Sequence, residues 1–119
     1  MAKEFKDAFK TITYKDKEYK LVFNLNVMES IQEEYKTLDN WGELTDGTSK
    51  GETDIKALIF GLREMINEGI EIDNEETGSN EPLLTHKQVG RIITTIGLDN
   101  VLKEVNQTVI ESTESNEKN

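Results

Sequence analysis

A chain of 119 residues with 34% hydrophobic side chains supports one domain around a single core and is too short for two. Because 24 acidic residues outnumber 14 basic ones, the net charge of −10 argues against nucleic-acid and anionic membrane partners. The chain has no cysteine, one histidine and no run of about 18 apolar residues, so we expect no thiolate chemistry, no histidine zinc site, no membrane span and a cytoplasmic location.

A β-hairpin is predicted over residues 12–25, where apolar side chains recur with the period of two that is typical of a strand. The charged tetrad 15–18 lies between the two arms and is predicted to form the turn. Asn26, followed three residues later by Glu29, predicts the N-cap and a pair resembling a capping box for the first helix. The alternating residues are Ile12, Tyr14, Tyr19, Leu21, Phe23 and Leu25.

The first predicted helix extends from Asn26 to Leu38, with an apolar arc that would pack on the hairpin. After it, the glycines and small polar residues of 39–52 break any periodicity, so this segment is predicted to be a loop. Trp41 and Leu44 are its apolar anchors.

The second and longest predicted helix begins near Thr53 or Asp54, either of which can cap it. Gly69 and the acidic segment 71–81 are predicted to end it. Its shared apolar face consists of Ile55, Leu58, Ile59, Leu62, Met65, Ile66 and Ile70.

Two residues of this helix depart from the simple pattern. Phe60 lies outside the apolar face, so it contacts either a second core layer or another molecule. Gly61 in mid-helix costs about 1 kcal/mol relative to alanine, and a close approach by another helix would explain it. A merely suboptimal residue is the alternative.

The acidic segment 71–81 is predicted to be an exposed loop. Its oxygen-bearing residues, counted from Asp73, resemble a calcium-binding loop, with Glu75 and Glu81 as further ligands. Position twelve of that loop is Leu84, where a bidentate glutamate is required. Calcium binding is therefore a minor alternative to a solvated loop.

Two further helices follow. Thr85 with Gln88 forms a predicted capping box for the third helix, which Gly97 ends, and Asp99 opens the fourth. Residues 111–119 contain no apolar side chain and are predicted to be disordered. Before the hairpin, the spacing of Phe5 and Phe9 fits either one helical turn or a loose arm, and this choice stays open.

The predicted fold class is therefore α+β, mainly α: an N-terminal β-hairpin, about four helices and a disordered acidic-polar C-terminal tail. Residues 1–110 form a single domain and 111–119 the tail. His86 follows a helix cap, the carboxylates lie in polar surroundings, and no glycine-rich phosphate loop follows a strand. We expect no enzyme activity, no cofactor and no bound metal.

This order of elements, together with the phrase Tyr19-Lys20-Leu21-Val22-Phe23-Asn24, resembles the tail assembly chaperones of long-tailed bacteriophages and prophages. The resemblance covers about residues 11–110. It implies a cytoplasmic protein of the bacterial host that coats the tape measure protein, helps recruit tail tube protein and is absent from the mature virion. It also implies a homo-oligomer.

Residues that one core explains least are the expected partner-binding residues, although each could instead complete the core. They are Trp41, Leu44, Phe60 and Ile110. The acidic surface is expected to keep a loaded assembly soluble and to favour basic partner segments. Two alternatives from other classes are a small phage structural or regulatory interaction protein retained in the particle, and an acidic calcium-responsive domain.

Overall fold

A computed structural model, which describes residues 10–117, confirms the α+β, mainly α architecture: an antiparallel β-hairpin leads into five helices. The open question about Phe5 and Phe9 lies outside the described residues. The strands are β1 (Lys10–Tyr14) and β2 (Lys17–Leu21), and the helices are α1 (Leu25–Tyr35), α2 (Leu38–Thr45), α3 (Ile55–Thr77), α4 (His86–Ile96) and α5 (Leu98–Glu117).

The hairpin turn is shorter than predicted. Lys15 and Asp16 have φ angles of 53° and 66°, the positive values that a two-residue turn needs to match the twist of its strands. Lys17 and Glu18 therefore belong to β2, where they pair with Tyr14 and Thr13 of β1.

The chain leaves the hairpin at Leu21, earlier than the alternating pattern predicts. Val22 and Phe23 are both buried, which consecutive residues of a strand with one solvent-exposed face cannot be. The backbone N–H of Val22 donates instead to the carbonyl of Met65 in α3 at 3.3 Å. Core packing, rather than strand pairing, decides where β2 ends.

The predicted helix cap at Asn26 is wrong by two residues. Asn24 caps α1, with its side-chain oxygen accepting the N–H of Val27 at 3.2 Å. Asn26 lies within the first turn and donates its side-chain amide to Glu68 of α3 at 3.0 Å. Because the strand ends early, the helix begins early.

α2 is the additional helix. It begins at Leu38, which was predicted to end the first helix, whereas α1 ends at Tyr35, and the rest of α2 lies inside the predicted loop of residues 39–52. Thr37 caps it, because its hydroxyl accepts the N–H of Asn40 at 2.9 Å. With eight residues, α2 is too short to display a helical period, and Gly42 weakens the pattern further.

α3 is longer than predicted, since it passes through Gly69 and includes residues 71–77 of the expected loop. Gly69 serves a crossing with β2: a Cβ atom there would lie 3.2 Å from the carbonyl oxygen of Lys20. The helix ends at Gly78, whose φ of 76° is the left-handed conformation common after a helix.

The capping box of α4 is confirmed. The hydroxyl of Thr85 accepts the N–H of Gln88 at 3.2 Å, and the side-chain oxygen of Gln88 accepts the N–H of Thr85 at 2.8 Å. Gly97, at φ 107°, ends α4 as predicted and is the one residue between α4 and α5.

The sequence predicts disorder from Glu111 onward, whereas α5 continues to Glu117. Lys10 of β1 lies 3.6 Å from the carboxylate of Glu111, and the hydroxyl of Thr113 donates to the carbonyl of Val109 at 3.0 Å. The continuing helical backbone satisfies its own hydrogen bonds without apolar residues.

α3 lies at the centre of the core and packs against β2, α1, α2 and α4, while α5 packs against α4 and β1. Within the described part of the chain, no helix combines the length and apolar composition that a membrane span requires. The buried core consists of Ile12, Leu21, Phe23, Val27, Ile31, Trp41, Ala57, Leu58, Leu62, Met65, Ile66, Val89, Ile92, Ile93, Val101 and Val105.

Candidate functional site

An apolar groove of about 550 Å³ lies between α3 and α4. Ile55 and Ile59 of α3 and Ile93 of α4 line it, together with Leu98 at the start of α5. Ile55 is 49% exposed and Leu98 36% exposed, so apolar carbon reaches the solvent here. Apolar side chains grouped in a concavity between helices offer a contact surface to an apolar segment of another protein.

The two helices that form the groove run antiparallel. The side-chain amide of Asn67 in α3 donates to the carbonyl of Leu84 at 3.1 Å and accepts its N–H at 2.9 Å. Further along, Ile59 of α3 faces Gly90 of α4. The groove follows residues 87–94 of α4, which is about two helical turns or roughly 10 Å.

A charged cap holds the start of α3 at the groove. The carboxylate of Asp54 accepts the ammonium of Lys50 at 2.8 Å and the N–H of Ala57 at 3.0 Å. These hydrogen bonds, the one from Lys50 above all, hold the pKa of Asp54 below its usual range. The cap places Ile55, the first residue of α3, at the groove.

Two cations border the groove along α4. Lys87 and Arg91 are exposed and four residues apart, which places them on the same side of the helix. Among the side chains that the structure describes, neither forms an ion pair. The groove lining contains no carboxylate. Both charges are therefore available to a bound segment.

Other grooves of the described surface have the opposite character, as the net charge of −10 would lead one to expect. Three of them contain at least three carboxylates each. These are Glu29, Glu64, Glu68 and Glu71 between α1 and α3; Glu18, Asp73 and Glu81 beside the hairpin; and Asp39, Glu43 and Asp46 between α2 and α5.

Gly90 lies between the two cations in sequence and lines the groove. A Cβ atom there would lie 3.6 Å from Cδ1 of Ile59, an ordinary van der Waals contact, and the backbone is not left-handed. Glycine costs about 1 kcal/mol in a helix relative to alanine, so folding does not explain it here. Its absent side chain leaves room for close approach by another molecule.

Trp41, one of the four expected partner-binding residues, is buried at 2% exposure. Its ring packs against Gly61, and its indole N–H donates to the carbonyl of Ala57 at 2.9 Å. The alternative that Trp41 completes the core is therefore confirmed, and Trp41 offers little surface to a partner. The close approach predicted at Gly61 is confirmed, with α2 as the approaching helix.

The other three expected residues do not form one site. Phe60 and Leu44 are half-buried against the core, and the Phe60 ring meets the Tyr35 ring edge-on at 5.6 Å. Ile110 is 52% exposed and lines the separate groove between α2 and α5, which Trp41 also borders. Ile110 therefore remains the most exposed of the four.

The loop conformation required by the calcium alternative is absent. Asp73 and Glu75 lie in the final turns of α3, where Asp73 pairs with Lys20 at 3.0 Å. Glu81 pairs with Lys17 at 2.8 Å. Among the side chains that the structure describes, those of residues 10–113, no group of three or more acidic, cysteine or histidine residues is arranged to hold a metal ion.

Comparisons with protein-family models, curated proteins and solved structures found no match to this chain. Hydrogen bonds from Thr48 lower the pKa of Asp46, and the hydrogen bond from Lys50, followed by the cap to Ala57, lowers the pKa of Asp54; these contacts are all structural features. Every buried side-chain nitrogen and oxygen of the described residues has a hydrogen-bond partner.

Sequence reasoning missed three residues of the groove, Lys87, Gly90 and Arg91. A signal for them exists, since they lie on the predicted third helix away from its apolar face and include a glycine in mid-helix. The helical period places Ile55 on the core face, yet it is half exposed because the groove opens where α3 begins.

Proposed function

We propose that this protein is a phage tail assembly chaperone, which binds helical segments of the tape measure protein through the α3–α4 groove and helps recruit tail tube protein. One observation carries the proposal: a carboxylate-free apolar groove is open on an otherwise strongly acidic protein. The order of the hairpin and helices, on which the family resemblance depends, supports it as well.

The groove would shield apolar helix faces that otherwise aggregate, and the net charge of −10 would keep the loaded complex dispersed. Burying the exposed parts of Ile55 and Leu98 against a partner contributes only about 1 kcal/mol of binding free energy for each side chain. Weak single contacts of this size favour several copies on one long partner, where effective concentration raises the total affinity. Self-association along the tape measure protein is therefore part of the proposal.

In this proposal the protein acts in the cytoplasm of the bacterial host and is absent from the finished particle. Its role ends when tail tube subunits replace it along the tape measure protein. The alternative is an interaction protein retained in the virion, and it predicts that purified particles contain the chain.

Coexpression with the tape measure protein of the same phage or prophage tests the function. We expect the tape measure protein to be largely insoluble alone and soluble with the wild-type chain. The double variant Ile55→Gln/Leu98→Gln, which keeps the charge and alters only exposed apolar residues of the groove, is expected to lose most of this effect.

The matched control is Leu25→Gln/Leu83→Gln, because both leucines are exposed, at 77% and 45%, and lie outside the groove. We expect it to behave like wild type. Loss of function in Ile110→Gln instead would move the site to the α2–α5 groove. Equal solubility of the tape measure protein with and without the chain, or stoichiometric retention of the chain in purified virions, would contradict the proposed function.

A further inference from the structure

We propose that the segment which fills the α3–α4 groove is an amphipathic helix of about two turns with carboxylates along one edge, facing Lys87 and Arg91. This inference rests on the proposed function and deepens it by naming the chemical class of the bound segment. It also reverses, for this site, the expectation that an acidic protein selects basic partner segments.

The cations determine the edge of the partner. Lys87 and Arg91 stand one helical turn apart, and both are free of ion pairs with the described side chains. Carboxylates four residues apart on a bound helix would have the same spacing. A lysine-rich edge would instead bring like charges together at this position, which disfavours binding.

The shape of the groove determines that the partner is a helix. Its floor and walls come only from helices, so no free strand edge is present in its lining to pair with an extended segment. Along α4, Gly90 has no side chain and Thr94 a small one, which permits an interaxial distance of about 8–10 Å. The apolar stripe of the partner would then contact Ile55, Ile59 and Leu98.

Two peptides of about 18 residues, long enough to hold a helix, provide the probe. They share one leucine stripe and differ only at the flanking positions, which are glutamate in one peptide and lysine in the other. Dissociation constants are measured by fluorescence anisotropy with the full chain at about 0.15 M salt. At this ionic strength, repulsion from the distant acidic surface is screened beyond about 8 Å while direct ion pairs persist.

We expect the wild-type chain to bind the glutamate peptide about three- to tenfold more tightly than the lysine peptide, the range that two rim ion pairs supply. Lys87→Glu/Arg91→Glu is expected to reverse that order. Lys15→Glu/Lys103→Glu makes the same change in net charge outside the groove and is expected to keep the wild-type order. Thermal unfolding of each variant confirms that the fold persists.

A second variant separates binding from stability. Gly90→Ala is expected to raise the midpoint of thermal unfolding and yet weaken binding of the glutamate peptide by about fivefold or more, because the methyl group occupies the floor of the groove. Tighter or unchanged binding by this variant would show that the peptide lies elsewhere.

Equal affinity of the wild-type chain for both peptides, or an unreversed preference in Lys87→Glu/Arg91→Glu, would overturn the inference. If Ile55→Gln/Leu98→Gln still loses coexpression activity in that case, the chaperone function stands and only the acidic edge is wrong. If the glutamate peptide binds as expected but the tape measure protein is equally soluble without the chain, the groove chemistry stands and the chaperone function fails.

Discussion

The indole ring of Trp41 occupies the part of the α3 surface that Gly61 leaves without a side chain. Its N–H donates to the carbonyl of Ala57 one turn earlier, so the ring is oriented as well as buried. A single aromatic residue thereby joins the short helix α2 to the centre of the core. The glycine that reduces the helix propensity of α3 is therefore required by packing.

Gly61→Ala is expected to destabilise the protein by about 1–3 kcal/mol, although alanine is the better helix former. The added Cβ would lie 2.8 Å from Cε2 of Trp41 and overlap Cζ2, and the hydrogen-bonded ring cannot retreat. Urea unfolding measures the change. Gly90→Ala is the matched control, expected to stabilise by up to about 1 kcal/mol, and a stabilised Gly61→Ala would refute the contact.

At the scale of elements, caps decide where helices begin. Asp54 begins α3 and Thr85 begins α4, each by accepting backbone N–H groups that the first turn leaves free. Both are local pairings of residues three apart, and the sequence predicts both, with Thr53 as the alternative for α3. The cap of α1 is different. Asn24 can cap this helix only because the chain leaves the hairpin at Leu21, which is a consequence of core packing.

Asp54→Asn is expected to change the response to acid. The pKa of Asp54 is lower in the folded state than in the unfolded state. Its charge therefore stabilises the fold at pH values above the unfolded-state pKa of about 3.9, and this stabilisation is lost as the pH falls through the folded-state pKa. Asparagine also caps but does not titrate. The variant is expected to be less stable than wild type at pH 7 by under about 1 kcal/mol, a difference that vanishes in strong acid.

Thermal unfolding at neutral and acidic pH measures this convergence. Lys50→Gln removes the surface ion pair while keeping the carboxylate cap, so it is expected to retain part of the acid dependence. A constant difference between Asp54→Asn and wild type at all pH values would contradict the assigned role.

At the scale of the whole molecule, the uneven distribution of charge has consequences for both folding and binding. The excess of 10 negative charges disfavours the compact state through self-repulsion, whereas the cations of the α3–α4 groove attract the opposite charge. Salt therefore acts on stability and on partner binding in opposite directions.

Raising sodium chloride from about 0.02 to 0.5 M is expected to increase the midpoint of thermal unfolding by about 2–5 °C, because repulsion between exposed carboxylates is screened. Glu29→Gln/Glu33→Gln/Glu43→Gln, which neutralises three exposed glutamates, is expected to show a smaller increase. Binding of the glutamate peptide is expected to weaken over the same range. An identical rise in the unfolding midpoint of the wild-type chain and of the triple variant would argue against self-repulsion.

Local sequence patterns predicted the features that depend on near neighbours along the chain. Alternation over residues 12–25 predicted the hairpin, although β2 ends at Leu21. The helical period predicted α1, α3, α4 and α5, and residues three apart predicted the cap of α4. These signals suffice for the fold class because a strand period and a helix period are physically distinct.

Packing between distant segments is required to explain the features that depend on which elements meet. Trp41 is core because α2 packs on Gly61, β2 stops at Leu21 because the next two side chains are buried, and Ile55 is exposed because α3 begins at the mouth of a groove. The candidate site is a concavity between two helices, so its residues share no local pattern. Contacts between segments distant in sequence contribute free energy that can override local preferences, and local periodicity does not predict these contacts.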